Sequence, residues 1–328
     1  MGNHLRRICS ARRNHLPSDR EGPVNAISTA NLGKRYGSQF ALRGIDLEIP
    51  RGSIYGLLGP NGAGKTTALE IIAGLRHPSF GEVRIQDQAG YTAYCPDVAE
   101  FEPWLSPAEV LEVSAGLLGR PKPMNKINDV LAMVGLKDTE ARRVSGFSRG
   151  MLARLGLAAA LICDPEILLL DEPVAALDPL GQREIMNLLT NLGSSVTVVI
   201  SSHDLAEIEQ RCDTVGVLNA GELIHQGPLS ELLASHARLI WHLEVRPPAK
   251  ELIARLMTVP WASAVNELSP GFVEIHYLNS EQAERELPAV LTSSGSQLVS
   301  LVQVKPTLEE VFLSITKDGT AQAEPGEA

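Results

Sequence analysis

Two different hydrophobic patterns follow each other along the 328-residue chain. From residue 24 to about residue 234, short apolar runs alternate with stretches in which apolar residues recur at helical spacing. Predicted strands cover residues 26–31, 45–49, 53–58, 167–170 and 196–201, and predicted helices cover residues 66–74, 107–118, 126–134, 149–162 and 180–191. Because the run at 167–170 is purely apolar, we expect that strand to be buried on both faces. The alternation predicts an α/β domain with a mainly parallel sheet.

The pattern after residue 234 predicts a second, smaller domain. Predicted strands at 239–245, 262–266, 272–277 and 297–304 are interleaved with predicted helices at 249–257 and 280–291, and a last helix is predicted at 308–316. The order β-α-β-β-α-β is typical of a small α+β, ferredoxin-like sandwich. The chain is therefore predicted to consist of an arm at 1–23, a first domain at 24–234, an accessory domain at 235–316 and an acidic tail at 317–328.

The arm at 1–23 is polar and arginine-rich and has no periodicity. It predicts a disordered, basic segment, and both a solvated tail and an arm that touches anionic lipid fit this composition. It lacks the apolar region that a signal peptide requires.

Composition restricts the classes of function. The formal net charge is −10, the pI is about 5.4 and aromatic residues make up 4% of the chain. These values argue against bulk electrostatic binding to nucleic acid and against a base-stacking surface. No window of about 18 apolar residues occurs, so we expect no membrane span. The four cysteines are scattered and form no CxxC pair, which predicts the reduced thiols of a cytosolic protein.

The strand predicted at 53–58 leads into a segment with the chemistry of a phosphate-binding loop. Residues 59–66 match the pattern G-x-x-x-x-G-K-[ST] between a strand and a helix. In such a loop the backbone N–H groups converge on phosphate oxygens at a helix N-terminus. The candidate nucleotide-binding residues are Gly59, Pro60, Asn61, Gly62, Ala63, Gly64, Lys65, Thr66 and Thr67. Lys65 should reach the β- and γ-phosphates, Thr66 should offer its hydroxyl to Mg²⁺, and Thr67 can touch the α-phosphate.

A second motif places two acids at the end of the buried strand predicted at 167–170. Asp171 and Glu172 follow that strand, at the carboxyl edge where α/β sheets bind ligands. Asp171 can hold Mg²⁺ through water. Glu172 is placed to orient or deprotonate the attacking water in phosphoryl transfer.

These two motifs resemble the nucleotide-binding subunit of an ABC transporter over residues 24–234. The resemblance implies a P-loop NTPase cassette, with a mainly parallel sheet, an antiparallel β subdomain and a helical subdomain. It implies ATP and Mg²⁺ as ligands, ATP hydrolysis as the activity and Lys65 and Glu172 among the catalytic residues. It also implies a peripheral position on the cytoplasmic face of the cell membrane, beside a separate permease.

Within the resemblance, residues 147–151 stand where the family has its signature LSGGQ. The family uses this segment to bind the γ-phosphate of ATP held by the other subunit, which implies that Ser148, Arg149, Gly150 and Met151 act in trans. Arg149 replaces a glycine and Met151 replaces a glutamine. Ser148 also fits an ordinary helix N-cap, and the two roles are compatible.

Three further positions match family motifs. Asp178, in Ala-Leu-Asp, matches the D-loop and would lie at the interface of a head-to-tail homodimer that encloses two ATP molecules. His203, after the strand predicted at 196–201, matches the switch histidine and joins the catalytic residues. Tyr36 stands where the family stacks an aromatic ring on adenine, and a tyrosine packed in the core is the alternative.

Asp97 departs from the general family pattern. The family places a glutamine there, which touches Mg²⁺ and water and contacts the membrane partner. Acidic residues occupy this position in one exporter branch, so Asp97 is a candidate metal-site residue. Its alternative role is to cap the following turn.

The exporter branch is supported by three features, by analogy with the family. These are the signature variant at Arg149–Met151, the acidic residue at 97, and residues 306–313, which resemble the ending of subunits that pair with ABC type-2 permeases. The leading hypothesis is an ATPase motor for export. An importer subunit, a soluble ABC ATPase acting on ribosomes or DNA, and a nucleotide-binding regulator that does not hydrolyse are the alternatives.

Overall fold

The computed structural model describes residues 9–10, 25–86, 91–192, 195–236 and 239–321. The chain divides into two compact units, one formed by residues up to Leu229 together with those from Leu313, the other by Ser230–Phe312. Among the described residues, no helix is both long enough and apolar enough to cross a membrane.

The first unit is built around a seven-stranded sheet. Its strands, in spatial order, are β1 (Cys9–Ser10), β7 (Thr92–Cys95), β8 (Ile167–Asp171), β9 (Thr197–Ser202), β5 (Ile54–Leu58), β10 (Thr214–Asn219) and β11 (Glu222–Pro228). The five inner strands run parallel, and the two outer strands pair antiparallel. Every residue of β5, β8 and β9 is buried, as expected for parallel strands covered on both faces. The predicted parallel sheet is confirmed.

The outer strand β1 corrects one detail of the prediction for the arm. Cys9 pairs with Ala93 and Ser10 with Thr92, so these two residues extend the sheet at its β7 edge. An edge strand offers unpaired N–H and C=O groups to any extended segment, whatever its side chains. The rest of the arm predicted at 1–23 lies outside the described residues.

A second, antiparallel sheet forms the predicted β subdomain. It contains β2 (Asn25–Tyr36), β3 (Gln39–Ile45), β4 (Glu48–Pro50) and β6 (Phe80–Ile85), all paired with β2. The prediction of one continuous strand over 45–49 is wrong for residues 46–47, where the strand breaks between β3 and β4. At the break, the Asp46 carboxylate accepts a hydrogen bond from the Asn31 N–H at 2.6 Å, which holds the connection against β2.

Five helices of the first unit lie within about two residues of their predicted bounds, whereas the helix Leu205–Arg211 is not among the predicted ones. These helices are α1 (Lys65–Ile72), α2 (Pro107–Leu117), α3 (Met124–Met133), α4 (Arg149–Leu161), α5 (Pro179–Leu192) and α6 (Leu205–Arg211). A capping box starts α2, in which the Ser106 hydroxyl accepts from the Glu109 N–H and the Glu109 carboxylate accepts from the Ser106 N–H. Helices α2, α3 and α4 contact one another and form the helical subdomain, which contacts β7 through α4.

The second unit has the predicted order of elements. After α7 (Leu229–Ser235) come β12 (Ile240–Val245), α8 (Lys250–Leu256), β13 (Ala262–Ser269), β14 (Phe272–Tyr277), α9 (Ser280–Ser294) and β15 (Leu298–Gln303). The strands form an antiparallel sheet in the order β13-β14-β12-β15. Its core contains Trp241 and Trp261, whose ring centroids lie 6.3 Å apart.

The last helix is longer than predicted. Helix α10 (Leu308–Ala321) continues five residues beyond the predicted end at 316, so the prediction of a tail from residue 317 is wrong for residues 317–321. Propensity alone did not indicate this, because Gly319 is a poor helix former. Residues 322–328 of the predicted tail lie outside the described residues.

Candidate nucleotide site

The predicted phosphate-binding loop connects β5 to α1 through two glycines, Gly59 and Gly64, at which a Cβ would clash with backbone atoms. Gly64 is the N-cap of α1 at φ +108°, and a Cβ built there would lie 2.5 Å from the Ala41 carbonyl oxygen. A Cβ on Gly59 would lie 2.3 Å from the Leu218 carbonyl oxygen. The loop backbone therefore packs tightly on its own unit, and the α1 N-terminus carries no side-chain cap. Its N–H groups are available to an anion.

Lys65 is buried although it carries a positive charge. Its ammonium donates to the carbonyl oxygen of Gly59 at 2.7 Å and of Pro60 at 3.4 Å, and lies 3.6 Å from Glu172 Oε1. Only 6% of the side chain is exposed. The loop thus fixes one positive charge at its centre, beside the carboxylate of Glu172.

Asp171 ends β8 and is almost fully buried. The register of the sheet places it opposite Ser201 of β9, whose hydroxyl donates to Asp171 Oδ1 at 2.5 Å. The Tyr94 hydroxyl donates to Asp171 Oδ2 at 3.4 Å. Burial, followed by the charge of Asp171, raises the pKa of Tyr94, so this hydroxyl stays protonated. Ser201 and Tyr94 therefore hold the carboxylate in one orientation.

Glu172 has a backbone conformation that is rare for a residue with a side chain. Its φ is +47°, in the left-handed region. The Glu172 N–H donates to both the carbonyl oxygen and the hydroxyl of Ser201, each at 3.1 Å. Such outliers concentrate at functional sites, where the surroundings hold a side chain in a required direction.

The Glu172 carboxylate is shared between two cationic or polar partners. Oε1 faces Lys65, and Oε2 lies 2.8 Å from Nδ1 of His203. His203 follows β9, and its side chain is 61% exposed. The structure thus brings Lys65, the adjacent acids Asp171 and Glu172, and His203 together from three distant segments of the sequence, at the carboxyl ends of β5, β8 and β9.

The ring of Tyr36 lies at the end of β2 and is 45% exposed. Two cations lie over it, with Lys34 Nζ at 5.3 Å and Arg76 Cζ at 5.8 Å from the ring centroid. The alternative of a tyrosine packed in the core is therefore wrong. An exposed, electron-rich ring beside cations fits a stacking surface for an aromatic base.

The predicted signature segment lies at the start of α4. Ser148 is the N-cap, and its hydroxyl accepts a hydrogen bond from the Met151 N–H at 3.2 Å. A Cβ on Gly150 would lie 3.3 Å from Leu177 Cδ2 and 3.4 Å from the Ala176 carbonyl oxygen. The segment therefore packs against the residues that precede Asp178.

Asp178 starts the helix that follows the predicted D-loop. Its Oδ1 accepts a hydrogen bond from the Gly181 N–H at 2.9 Å, at the beginning of α5. Its packed neighbours Ala176 and Leu177 link this turn to the start of α4. Ser148, Arg149 and Asp178 are all exposed or partly exposed, so a second molecule could reach them.

Asp97 lies two residues after β7 and belongs electrostatically to the same site. Partial burial raises the pKa of Asp97, and the negative charges of Asp171 and Glu172 raise it further, whereas Arg149 and His203 lower it. Among the described residues, the Asp97 carboxylate makes no hydrogen bond to the following turn, so the capping alternative is not supported. The neighbouring Cys95 is buried, and burial raises the pKa of its thiol to about 12.

The residues at hand fit a magnesium nucleotide. Thr66 is exposed, and its hydroxyl makes no hydrogen bond within the described part of the chain. It is the second residue of α1, next to Lys65, at the sheet edge where Asp171 also lies. One hydroxyl and one carboxylate, completed by water and phosphate oxygens, are the donors that Mg²⁺ commonly takes in phosphoryl-transfer enzymes.

Sequence reasoning missed two residues of this site, Ser201 and Tyr94. Ser201 ends the strand predicted at 196–201, whose side chains are predicted only as buried, and Tyr94 lies in β7, where no strand is predicted. Their role depends on the pairing of β7 and β9 with β8, which brings them to Asp171. For Ser201, a hydroxyl that directly follows the apolar run at 198–200 was the available signal.

Comparison with known proteins identifies the family. The protein-family model described as ABC transporter matches residues 42–175 of the sequence. The bacitracin transport ATP-binding protein BcrA of Bacillus licheniformis is 32% identical over 306 residues, which cover 90% of this chain and 98% of the relative. The chain belongs to the ABC transporter ATP-binding proteins. The daunorubicin resistance ATP-binding protein DrrA3 of Streptomyces coeruleorubidus is also 32% identical, over 89% of this chain and 96% of that protein.

A solved structure shows the same cassette fold. The dimeric, post-hydrolysis structure of the ATP-binding cassette MJ0796 bound to ADP and Pi is 26% identical, with a TM-score of 0.57. The matched region covers 62% of this chain and 98% of the MJ0796 chain. The predicted family and the predicted ABC cassette are thereby confirmed. The chain is the ATP-binding subunit of a transporter.

Asp97 gives a test of the metal site. The Asp97→Asn variant keeps the size of the side chain and removes one negative charge beside Asp171 and Glu172. We expect it to raise the Mg²⁺ concentration for half-maximal ATPase activity by roughly three- to tenfold, which corresponds to about 1 kcal/mol of lost attraction between the carboxylate and the ion. The measurement is ATPase rate against Mg²⁺ at saturating ATP, with Asp129→Asn, the same change at an exposed position of α3, as the matched control. Superimposable curves for wild type and Asp97→Asn would contradict the assignment.

Proposed function

We propose that this chain is the ATP-hydrolysing motor subunit of an exporter. The observation that carries the proposal is the assembly of Lys65, Asp171, Glu172 and His203 at one sheet edge, next to a glycine loop at a helix N-terminus. A fixed cation, two differently placed carboxylates and a histidine are the groups that phosphoryl transfer to water needs.

Each residue has a distinct role in the proposed mechanism. The ammonium of Lys65, which donates to Gly59 and Pro60, turns to the β- and γ-phosphates when they enter the loop. Thr66 and, through water, Asp171 would hold Mg²⁺, and the ion would neutralise negative charge on the phosphates.

The proton of the attacking water goes to Glu172. The left-handed backbone and the two hydrogen bonds from its N–H fix the direction of this side chain. His203 contacts Oε2 of the same carboxylate and so keeps the other oxygen, Oε1, turned towards the phosphate side. Tyr36 stacks on the adenine, and the loop N–H groups bind the phosphates.

The complete site needs a second copy of the chain. We propose a head-to-tail homodimer in which Ser148, Arg149, Gly150 and Met151 of one copy close over the ATP of the other, with Asp178 at the interface. The contact of Gly150 with Ala176 and Leu177 supports this, because it makes the signature and the D-loop one continuous surface. The dimeric state of the MJ0796 cassette supports it as well.

The transported cargo leaves the cell in this proposal. Among the relatives are a bacitracin transport protein and a daunorubicin resistance protein, and resistance to a drug is commonly achieved by removing it. Closing and reopening of the dimer would drive a separate membrane permease of the ABC type-2 kind, with the chain bound at the cytoplasmic face. No nucleic-acid partner is proposed, because the chain is acidic.

A mixed-dimer experiment tests the proposed function. Ser148→Arg should preserve ATP binding by the isolated chain, because this residue serves the opposite copy, and it should abolish turnover by placing bulk at the γ-phosphate. Lys65→Ala should also abolish turnover, because Lys65 belongs to the copy that binds the ATP, whereas Ser148 belongs to the opposite copy. A dimer that contains one copy of each variant still has one intact site, formed by Lys65 of one copy and Ser148 of the other.

The measurement is ATPase activity of the two inactive variants, alone and mixed. We expect mixing to restore turnover. The control is a mixture of Ser148→Arg with a Lys65→Ala, Ser148→Arg double variant, which contains no intact site and should stay inactive. If the mixture of single variants is as inactive as this control, the trans-acting role of residues 148–151 is wrong.

A further inference from the structure

The two edges of the sheet in the second unit differ in chemistry. At one edge, β13 exposes polar and charged side chains that include Asn266 and Glu267. At the other edge, β15 has the sequence Leu-Val-Ser-Leu-Val-Gln and contains no charged residue, no proline and no glycine. Its four large apolar side chains are exposed by 49%, 55%, 41% and 57% for Leu298, Val299, Leu301 and Val302 respectively.

Such an edge normally carries protection against pairing with another chain. Natural proteins use charged side chains, proline or a covering element for this purpose. Strand β15 pairs with β12 on one side, and within the described residues no strand pairs with its other side. The hydrogen-bonding groups of that side and the apolar side chains are therefore exposed together. This combination is suited to accept a further strand.

A second copy of β15 fits this edge better than a charged partner. The chain carries a formal net charge of −10, so two copies repel each other over much of their surface, but no charges oppose each other across this strand. Antiparallel pairing about a two-fold axis at Ser300 places Leu298 opposite Val302 and Val299 opposite Leu301. All four exposed apolar side chains then meet apolar partners, which no other centre within the strand achieves.

We propose that two copies of this chain pair antiparallel through β15, with Ser300 opposite its own copy. The inference extends the proposed function, in which two cassettes work as a pair. The pairing needs no nucleotide, so it keeps the two copies together while the cassettes separate. It raises the effective concentration of one cassette for the other and so favours each new closure on ATP.

Sedimentation velocity without ATP and Mg²⁺ tests the pairing. We expect concentration-dependent dimers of the full chain. Val302→Lys should raise the dimer dissociation constant roughly 100-fold, because symmetry removes the burial of two valines and adds two charges. Leu268→Lys is the matched control, since Leu268 is 54% exposed on the opposite edge of the same sheet and should leave dimerisation unchanged. A chain that stays monomeric at all concentrations, or equal effects of the two variants, would overturn the proposal.

Disulfide formation tests the register without relying on a destabilising change. Opposed residues of antiparallel strands have Cα atoms about 4.5–5.5 Å apart, within the range of a disulfide. In a Cys9→Ser background, where the remaining Cys95, Cys163 and Cys212 are buried, Ser300→Cys should form a covalent dimer under mild oxidation. Ser269→Cys, at the opposite edge, is the control. Equal cross-linking of the two variants would overturn the pairing about Ser300.

These readouts are independent of catalysis, because both are made without nucleotide. Failure of β15 pairing would leave the mixed-dimer test of Lys65 and Ser148 unaffected. Failure of the mixed-dimer test would equally leave the nucleotide-free dimer intact. The two proposals can therefore be rejected separately.

Discussion

Glu172→Gln is expected to lower the ATPase rate by a factor of about 10² to 10⁴, the range that general-base catalysis supplies. The amide keeps the shape of the side chain and its contact with His203, but it cannot accept the proton of the attacking water. It also keeps the backbone N–H bonds to Ser201, so the strained conformation at φ +47° should persist. ATP binding should therefore survive while turnover stops.

The arrested variant should also accumulate as a closed dimer with ATP. Its stoichiometry is measured by size-exclusion chromatography with light scattering, and bound nucleotide is quantified in the dimer peak. To separate this closure from nucleotide-free pairing through β15, the experiment is repeated with Val302→Lys added. Glu166→Gln, on the opposite end of β8, is the control and should hydrolyse ATP at the wild-type rate. Wild-type turnover by Glu172→Gln would remove Glu172 from the role of base.

The sequence predicted the parts of the site that are encoded locally. The loop at 59–66 and the acidic pair at 171–172 each combine a strand, a turn and a short set of polar residues in one segment. Their chemistry is therefore visible without knowledge of the sheet. The order of strands then brings the two segments together at one edge, as the general rule for α/β sheets predicted.

The parts that the sequence did not reveal depend on pairing between distant segments. Ser201 meets Asp171 only because β9 lies beside β8 in a particular register. The break at Asp46 arises because two strands share the long partner β2. The exposure of β15 also depends on such pairing. The alternation of apolar residues along one strand does not tell whether that strand lies at the edge or in the middle of its sheet.

Lys65→Ala is expected to abolish detectable ATP binding, with a loss of affinity of at least about 100-fold. The variant removes the one ammonium held inside the loop, where it lies in a buried position and 3.6 Å from Glu172. A charge-assisted contact to phosphate in such a place contributes several times more than a surface ion pair. The Glu172 carboxylate also loses its neutralising neighbour, which adds repulsion of the anionic phosphates.

Calorimetry of ATP binding, together with the shift of the melting temperature that ATP produces, measures this loss. The shift should disappear in Lys65→Ala, because a ligand that does not bind the native state cannot stabilise it. Lys122→Ala is the matched control, since that lysine pairs with Asp164 away from the loop and should retain the full shift. Lys65→Arg separates the effect of charge from that of shape. The planar guanidinium keeps the positive charge, but it is too large to donate to the Gly59 carbonyl oxygen as the compact ammonium does. We therefore expect Lys65→Arg to restore little of the ATP affinity. Unchanged ATP affinity in Lys65→Ala would mean that the loop at 59–66 is not the phosphate site.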